Sequence, residues 1–301
     1  MKATRDGFGE QLAISSKTNV KIIGLSADLG KATRMSHFAK TTPERFFELG
    51  IAENNMIGVA SGMSENGYKV FLASFASFLT GKYDTIRCSI SYPNVPCVIV
   101  GTHSGMAIGR DGVTQMGLED ISIMRSLPNM VVLNPSTFNQ TKAIVKYLCE
   151  NDLKNPHYLR LGRQPVKEVY PKDISYSPGD YVVLRRGTKG TVLSTGCVLG
   201  SVLDATEGLD LTVIDLPTIK PLNKQLAKEF SGLIVTVEDH SIIGGIGSTM
   251  AEVIAESGTS NRLVRIGLKD VFPESGAPVD LYDKYGLSSD KIKQRILSEL
   301  D

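Results

Sequence analysis

Glu53 heads a mostly apolar stretch. It lies in Phe47-Glu48-Leu49-Gly50-Ile51-Ala52-Glu53-Asn54-Asn55-Met56, which continues through Ile57, Val59, Ala60 and Met63 to Gly67. Ile57, Ala60 and Met63 recur at three-residue steps, which predicts a helix over Glu48–Asn66 with a carboxylate near its start. Acidic side chains favour that place because the first N–H groups of a helix carry partial positive charge. A carboxylate buried there without a partner is costly. Either Glu53 reaches solvent at the helix end, or the fold holds it for chemistry.

A second concentration of chemistry spans Thr102-His103-Ser104-Gly105-Met106-Ala107-Ile108-Gly109-Arg110-Asp111-Gly112-Val113-Thr114-Gln115. It follows a predicted strand and sets His, Ser, Arg, Asp, Thr and Gln among glycines. Polar loops at the carboxyl ends of parallel strands are where α/β folds bind ligands. His103 and Asp111 suit hydroxyls or a phosphate. Phe75 and Phe78 stand three apart, the spacing of one helix face, and suit either core packing or a stacking wall for a flat ring. Arg160 and Arg163 close another strand, and strand alternation aims only one of them at a site. An arginine fork there suits phosphate, and equally a structural ion pair. Gly244-Gly245-Ile246-Gly247-Ser248 offers the free N–H groups of an anion cradle. Its glycine spacing fits a tight turn better. Glu238-Asp239-His240 reads as a polar turn ending a strand.

The elements that position these residues alternate along the chain. Strands are predicted over 20–25, 69–75, 96–102, 130–133 and 158–161, with helices over 48–66, 78–91, 119–127 and 140–150. The strands are near-continuous apolar runs, as parallel strands covered on both faces require. Gln164–Asp180 carries Pro165, Pro171 and Pro178 and reads as a linker. A second alternating block follows over 191–194, 198–206, 211–216, 224–230, 232–237, 246–257 and 263–266. The expected fold is therefore α/β with two mainly parallel-sheet domains, 1–166 and 181–301, joined by 167–180.

Composition narrows the function classes. The 301 residues carry a net charge of +1 and no basic block, so nothing points to nucleic acid. Apolar runs such as Val98-Ile99-Val100 are far too short to span a bilayer, and the first residues lack the apolar core of a signal peptide. Cys88, Cys97, Cys149 and Cys197 have no paired spacing and read as idle thiols in a reducing cytoplasm.

Taken in order, these pieces resemble the C-terminal half of the transketolase family over almost the whole chain. The carrying residues are Ser26-Ala27-Asp28-Leu29, Gly50-Ile51-Ala52-Glu53, Phe75 with Phe78, His103 with Asp111-Gly112, Gln115, Glu119-Asp120 and Pro128-Asn129. Arg163 and Glu238-Asp239-His240 with Gly244-Gly245 complete the set. The resemblance implies a pyrimidine-binding domain followed by a transketolase C-terminal domain, and thiamine diphosphate as cofactor. It assigns Glu53 as the catalytic acid that shares a proton with the aminopyrimidine ring. It assigns Phe75, Phe78, Asp28 and Ile51 to the cofactor, with Tyr83 near a third aromatic position that Gly81 partly occupies. It assigns Arg5, His103, Asp111, Gln115 and Arg163 to a sugar phosphate, with Thr33 near a further hydroxyl position.

The chain departs from the family pattern at two places. Gln115 stands where a histidine is frequent, and an amide can hydrogen-bond a sugar but cannot act as a general acid. Arg110 precedes Asp111 where an acidic residue is usual, which favours anionic substrates. The family's diphosphate-binding half carries a Gly-Asp-Gly run with a downstream Asn, and this sequence has no such run. The resemblance therefore implies a partner chain that holds the diphosphate and a Mg2+ or similar ion, in a heterotetramer with two copies of each chain. The chain itself is expected to bind no metal. The activity implied is transfer of a two-carbon ketol unit from a ketose phosphate to an aldose. The β subunit of a 2-oxo acid dehydrogenase and a non-catalytic scaffold are the alternatives. The C-terminal domain is expected to serve in dimer contact and in packing under the site.

Overall fold

A computed structural model describes residues 1–300. In chain order the first part comprises β1 (Lys2–Ala3), α1 (Thr4–Ser15), β2 (Ile22–Ser26), α2 (Met35–Thr41), β3 (Phe46–Glu48), α3 (Glu53–Glu65), β4 (Lys69–Phe75), α4 (Ala76–Thr80) and α5 (Tyr83–Ile86). There follow β5 (Val98–Thr102), α6 (Asp120–Ser126), β6 (Val131–Leu133), α7 (Phe138–Glu150), β7 (His157–Arg160) and β8 (Pro165–Val166). The second part comprises β9 (Val182–Arg185), β10 (Thr191–Thr195), α8 (Leu199–Ala205), β11 (Thr212–Asp215), β12 (Thr218–Lys220), α9 (Leu226–Glu229) and β13 (Leu233–Ser241). It ends with α10 (Ile246–Ser257), β14 (Arg262–Leu268), α11 (Pro278–Lys284) and α12 (Ser289–Leu300).

Two sheets carry the architecture. The first runs β12-β6-β7-β5-β4-β2-β3 and is parallel except for β12. The second runs β14-β13-β10-β11-β9 and is parallel except for β9. Every residue of β2, β5 and β10 is buried, as the apolar runs predict for strands covered on both faces. One core beneath the first sheet joins Leu25, Ile57, Leu72 and Ile99, and the other joins Phe8, Phe38, Phe71 and Val100.

The two sheets are stitched together. β12 leaves the second part and pairs with β6, extending the first sheet. Asp215, at the end of β11, accepts hydrogen bonds from Gln140 Nε2 and Tyr170 OH, both at 2.7 Å, and from Ser136 Oγ. A buried carboxylate so surrounded fixes the orientation of everything it touches.

Several boundaries differ from the sequence expectations. The helix expected from Glu48 begins at Glu53, because Phe46–Glu48 pairs with β2 as an edge strand and Gly50 turns the chain at φ +70°. The helix expected over 78–91 breaks into α4, α5 and a π turn at Arg87–Ser91, on either side of Gly81-Lys82. α1 gives no apolar stripe because its buried face is built from Thr4, Gly7, Gly9 and Gln11 beside Phe8 and Leu12. Glu238-Asp239-His240 is not a turn: it lies within β13, fully covered.

Candidate functional site

Glu53 is the first residue of α3, after Ala52, which has no side chain to cap the helix. The helix start itself favours the carboxylate. Its side chain is buried, and among the described residues its hydrogen-bond partner is Ser74 Oγ, at a long 3.4 Å. Ser74 is the penultimate residue of β4, so Glu53 sits at the carboxyl ends of the central parallel strands. Glu53 lies at a helix start, as the spacing predicts, and it is buried within this chain rather than reaching solvent.

Next to Ser74, Phe75 closes β4 and Phe78 lies in α4. Their rings stack, with centroids 5.2 Å apart and planes at 19°. The pair is not formed on one helix face, since Phe75 is extended (φ −73°, ψ 145°) and only precedes the helix. His103 covers the Phe75 ring at 3.8 Å and 29°, making a stack of Phe78, Phe75 and His103. Both phenylalanines remain half-buried, so an apolar, flat surface persists at the strand ends. Tyr83 is exposed and takes no part in this stack.

His103 follows β5 with φ +58°. Arg5, from the start of α1, donates through Nη1 to His103 Nε2 and to Ala32 O, each at 2.9 Å. Arginine only donates, so Nε2 is the acceptor and the imidazole proton is on Nδ1. Nδ1 donates to Thr102 Oγ1 at 2.9 Å, and the Thr102 hydroxyl donates to Ser74 O at 3.3 Å. Burial, with Arg5, Arg163 and Arg34 nearby, lowers the His103 pKa to about 3, so the ring is neutral. Burial and the Arg34 charge lower that of Arg5 to about 10, and its buried Nε has no partner. Arg34 in turn pairs with Asp6 at 2.6 Å.

Arg163 reaches the same loop, with Nη1 2.7 Å from Asp111 Oδ2 in a pair open to solvent. Gln115 is half-buried and Arg110 exposed. The structure thus links Arg5, His103, Asp111 and Arg163 to one loop beside the phenylalanine stack. Thr33 is buried and its hydroxyl is taken by Leu29 O at 2.9 Å. Asp28 is exposed with φ +59°, and its N–H donates to Glu48 Oε1 at 2.6 Å. Ile51 is 82% exposed, two residues before Glu53.

Arg160 goes the other way from Arg163. Its Nε bonds Asp120 at 2.9 and 3.1 Å, and its Nη2 bonds Gly117 O at 3.0 Å and Asp239 O at 2.9 Å. Burial opposes its charge, but Asp120 and Asp239 outweigh that and raise its pKa. Tyr158 OH completes Asp120 at 2.7 Å. The Gly244–Gly247 turn is not an open cradle. Glu238 fills it, accepting N–H groups from Ile246 at 2.8 Å and Gly247 at 3.0 Å, and a Cβ on Gly245 would lie 1.9 Å from Glu238 Oε2.

Sequence reasoning gave no individual role to Ser74, Thr102, Arg34 or Tyr282. A usable signal existed for the first two, since hydroxyl residues ending adjacent parallel strands meet at their carboxyl edge; Phe75 and Thr102 are in register. Among the described residues no group of three or more His, Cys, Asp or Glu side chains could hold a metal, and no helix is long and apolar enough to cross a membrane.

Comparison with known proteins gives two family matches: transketolase, pyrimidine binding domain, over residues 1–168, and transketolase, C-terminal domain, over residues 179–292. The chain is 39% identical to a putative transketolase C-terminal section of Methanocaldococcus jannaschii, covering 99% of this chain and 96% of that one. It is 32% identical to the 6-deoxy-6-sulfo-D-fructose transketolase subunit SqwH of a Clostridium species (strain MSTE9), covering 96% and 91%. A solved structure described as a split gene transketolase, inactive beta4 tetramer, superposes with a TM-score of 0.91 at 40% identity, covering 100% and 99%. The chain spans about half the length of other curated relatives that it matches.

Proposed function

The chain belongs to the transketolase family, and from that premise we propose that it is the C-terminal subunit of a split, thiamine diphosphate-dependent transketolase. It transfers a two-carbon ketol unit from a ketose phosphate to an aldose or aldose phosphate acceptor. A separate N-terminal subunit supplies the diphosphate-binding half with its Mg2+ or similar ion, and two copies of each chain assemble. Two relatives of nearly the same length, one described as a C-terminal section and the other as an inactive tetramer, support the division of labour. Domain boundaries at 1–166 and 181–301 belong to the same proposal; Asp301 lies outside the described residues.

The observation that carries the reading is the sheltered Glu53 carboxylate with a single long hydrogen bond, beside a stacked pair of half-buried phenylalanines. A buried acid with spare acceptor capacity fits a ring nitrogen that must share a proton. An apolar, flat surface fits the ring itself. When bound, thiamine diphosphate supplies a carbon nucleophile able to carry the ketol unit. Glu53 holds the proton at the ring nitrogen, and Ser74 orients Glu53. Phe75 and Phe78 exclude water from that contact. Arg5 and Arg163 offer the positive charge that a phosphate requires, Asp111 offers hydrogen bonds to hydroxyls, and His103, with both ring nitrogens engaged, borders the substrate and holds Arg5 in place. Ile51, two residues before Glu53, and Asp28 are exposed in this chain and complete the pocket only against another subunit.

The test is reconstitution. The chain mixed with its N-terminal subunit, thiamine diphosphate and Mg2+ should transfer ketol units between sugar phosphates, and either chain alone should not. Turnover by this chain alone, or decarboxylation of pyruvate by the pair without ketol transfer, overturns the proposal.

A further inference from the structure

The loop between β5 and α6 belongs physically to both halves of the molecule. Its polar residues His103 and Asp111 bond Arg5 and Arg163 respectively. Its apolar residues Met106, Ile108, Met116 and Leu118 are instead buried in the core of the second sheet, with Val198, Val237, Ile266, Leu268 and Leu281. Four apolar side chains leave water in that core, so the loop is held chiefly from the C-terminal side. The closest approach is at Gly105. Its φ is +75°, and a Cβ there would lie 2.0 Å from Asp239 Oδ2. At Gly109 and Gly112, also at positive φ, a Cβ would meet Gly276 O at 2.9 Å and Ser275 Oγ at 2.5 Å.

Asp239 is the polar pin of this contact. It is 4% exposed; Oδ1 accepts the Met106 N–H at 3.0 Å and Oδ2 accepts Tyr282 OH at 2.7 Å. Its own carbonyl accepts Arg160 Nη2, which also bonds Gly117 O at the far end of the loop. The next strand residues continue the seam, Ser241 N–H donating to Leu118 O at 2.8 Å. Asp239 thus fixes the loop's first turn from one side while Arg160 ties its last turn to the same strand.

We propose that Asp239, supported by Tyr282, is a positioning residue for the substrate loop, so that the C-terminal domain sets where His103 and Asp111 stand. Asp239 touches no reacting atom; it acts through the Met106 amide. The consequence for catalysis rests on the transketolase reading above, whereas the anchor itself does not.

Two arms separate these. In the full chain, hydrogen–deuterium exchange at the Met106 amide should accelerate at least about tenfold in Asp239→Ala, with exchange in β4 and β10 unchanged. Asp239→Asn keeps an acceptor for Met106 and should restore protection. Tyr282→Phe should accelerate the same amide less, and it serves if Asp239→Ala fails to fold. In the assembled enzyme, Asp239→Ala should raise KM for a ketose phosphate about tenfold, with kcat and the thiamine diphosphate Kd each within about twofold. Wild-type exchange at Met106 in Asp239→Ala, or uniform acceleration across the chain in both variants, overturns the anchor. Local acceleration with unchanged KM overturns the positioning role. An inactive wild-type assembly counts against the proposed function, and exchange alone then decides the anchor.

Discussion

Two buried glutamates stand at helix starts of this chain, Glu53 as the first residue of α3 and Glu238 reaching α10 from β13, and they are treated differently. Glu238, on β13, is wholly covered and accepts two backbone N–H groups of the first turn of α10 at 2.8 and 3.0 Å. Glu53 at the start of α3 is nearly as buried, yet it has one hydroxyl at 3.4 Å. Helix starts supply unpaired N–H groups that a carboxylate can satisfy, and Glu238 does this work. Among the described residues Glu53 accepts no such N–H group. A carboxylate kept dry but left with acceptor capacity is poised for a partner from outside the chain. A carboxylate saturated by its own fold is structural. The same contrast separates Arg160, whose pair with Asp120 is sealed, from Arg163, whose pair with Asp111 is open.

The contrast is sharpest at Glu53. Exchanging it for Gln in the assembled enzyme should lower kcat by about 10²–10⁴, the range typical of a lost general acid–base group. The melting temperature should stay at the wild-type value, because little in the fold depends on that carboxylate. Equal activity in E53Q would erase the distinction between the two glutamates.

The two arginines give the next largest effect. Removing one partner of a sealed ion pair strands the other charge, so Arg160→Met should destabilise the chain by about 3–5 kcal/mol in urea denaturation. Arg163→Met breaks a pair open to solvent and should cost at most about 1 kcal/mol. In the assembled enzyme the order should invert for substrate binding, with Arg163→Met raising KM for a phosphorylated sugar. Comparable unfolding midpoints for the two variants would show that burial does not separate them.

Glu238 itself should behave as a cap. Glu238→Ala leaves two buried N–H groups unpaired and should cost about 1–3 kcal/mol of unfolding free energy. Burial raises its pKa to about 7, against the two N–H bonds that lower it. The folded state therefore holds this proton more firmly than the unfolded chain does. The stability it contributes is fully present below about pH 4.5 and is lost as pH rises through about 7. Glu238→Gln should remove that slope. An unchanged pH dependence in this variant would mean that Glu238 does not titrate in that window.

How much of this was legible in the sequence follows from distance along the chain. Glu53 with its apolar helix, and Phe75 with Phe78, are local patterns, and each appears where its spacing predicts, though Phe75 sits on a strand rather than a helix. The alternation of strands and helices was legible because buried parallel strands are runs of one kind of residue. β12 was not, since three residues joining the sheet of the other half carry no local signal. Asp239 reads in sequence as part of a turn, because polar residues commonly end strands, whereas here they continue one. Its partners Arg160 and Tyr282 lie 79 and 43 residues away in sequence, so only the fold reveals why three consecutive polar residues are buried. Asp28 and Ile51 mark the opposite limit, because within one chain nothing covers them.

His103 stands between the two regimes and gives the smallest effect. Both ring nitrogens are engaged, as at a structural histidine, yet its ring faces the aromatic stack and its donor is an arginine of the candidate site. Burial disfavours a charged ring, and protonating Nε2 would also set a cation against Arg5, so its pKa falls to about 3. The unfolded chain takes up this proton near pH 6.5, and the folded chain does not. The stability His103 contributes is therefore present above about pH 6.5 and is lost as pH falls toward 3. In the assembled enzyme no acidic limb between pH 5 and 8 should belong to this residue, because it is neutral throughout that range. NMR of the ring should show a flat Cε1–H shift from pH 8 down to about 4. Arg5→Met should move the midpoint upward, because the positive charge facing Nε2 is gone while the burial remains. A wild-type midpoint near 6.5 would mean that Arg5 does not donate to Nε2. The hydrogen-bonded chain from Arg5 to Ser74 would then break at its first link.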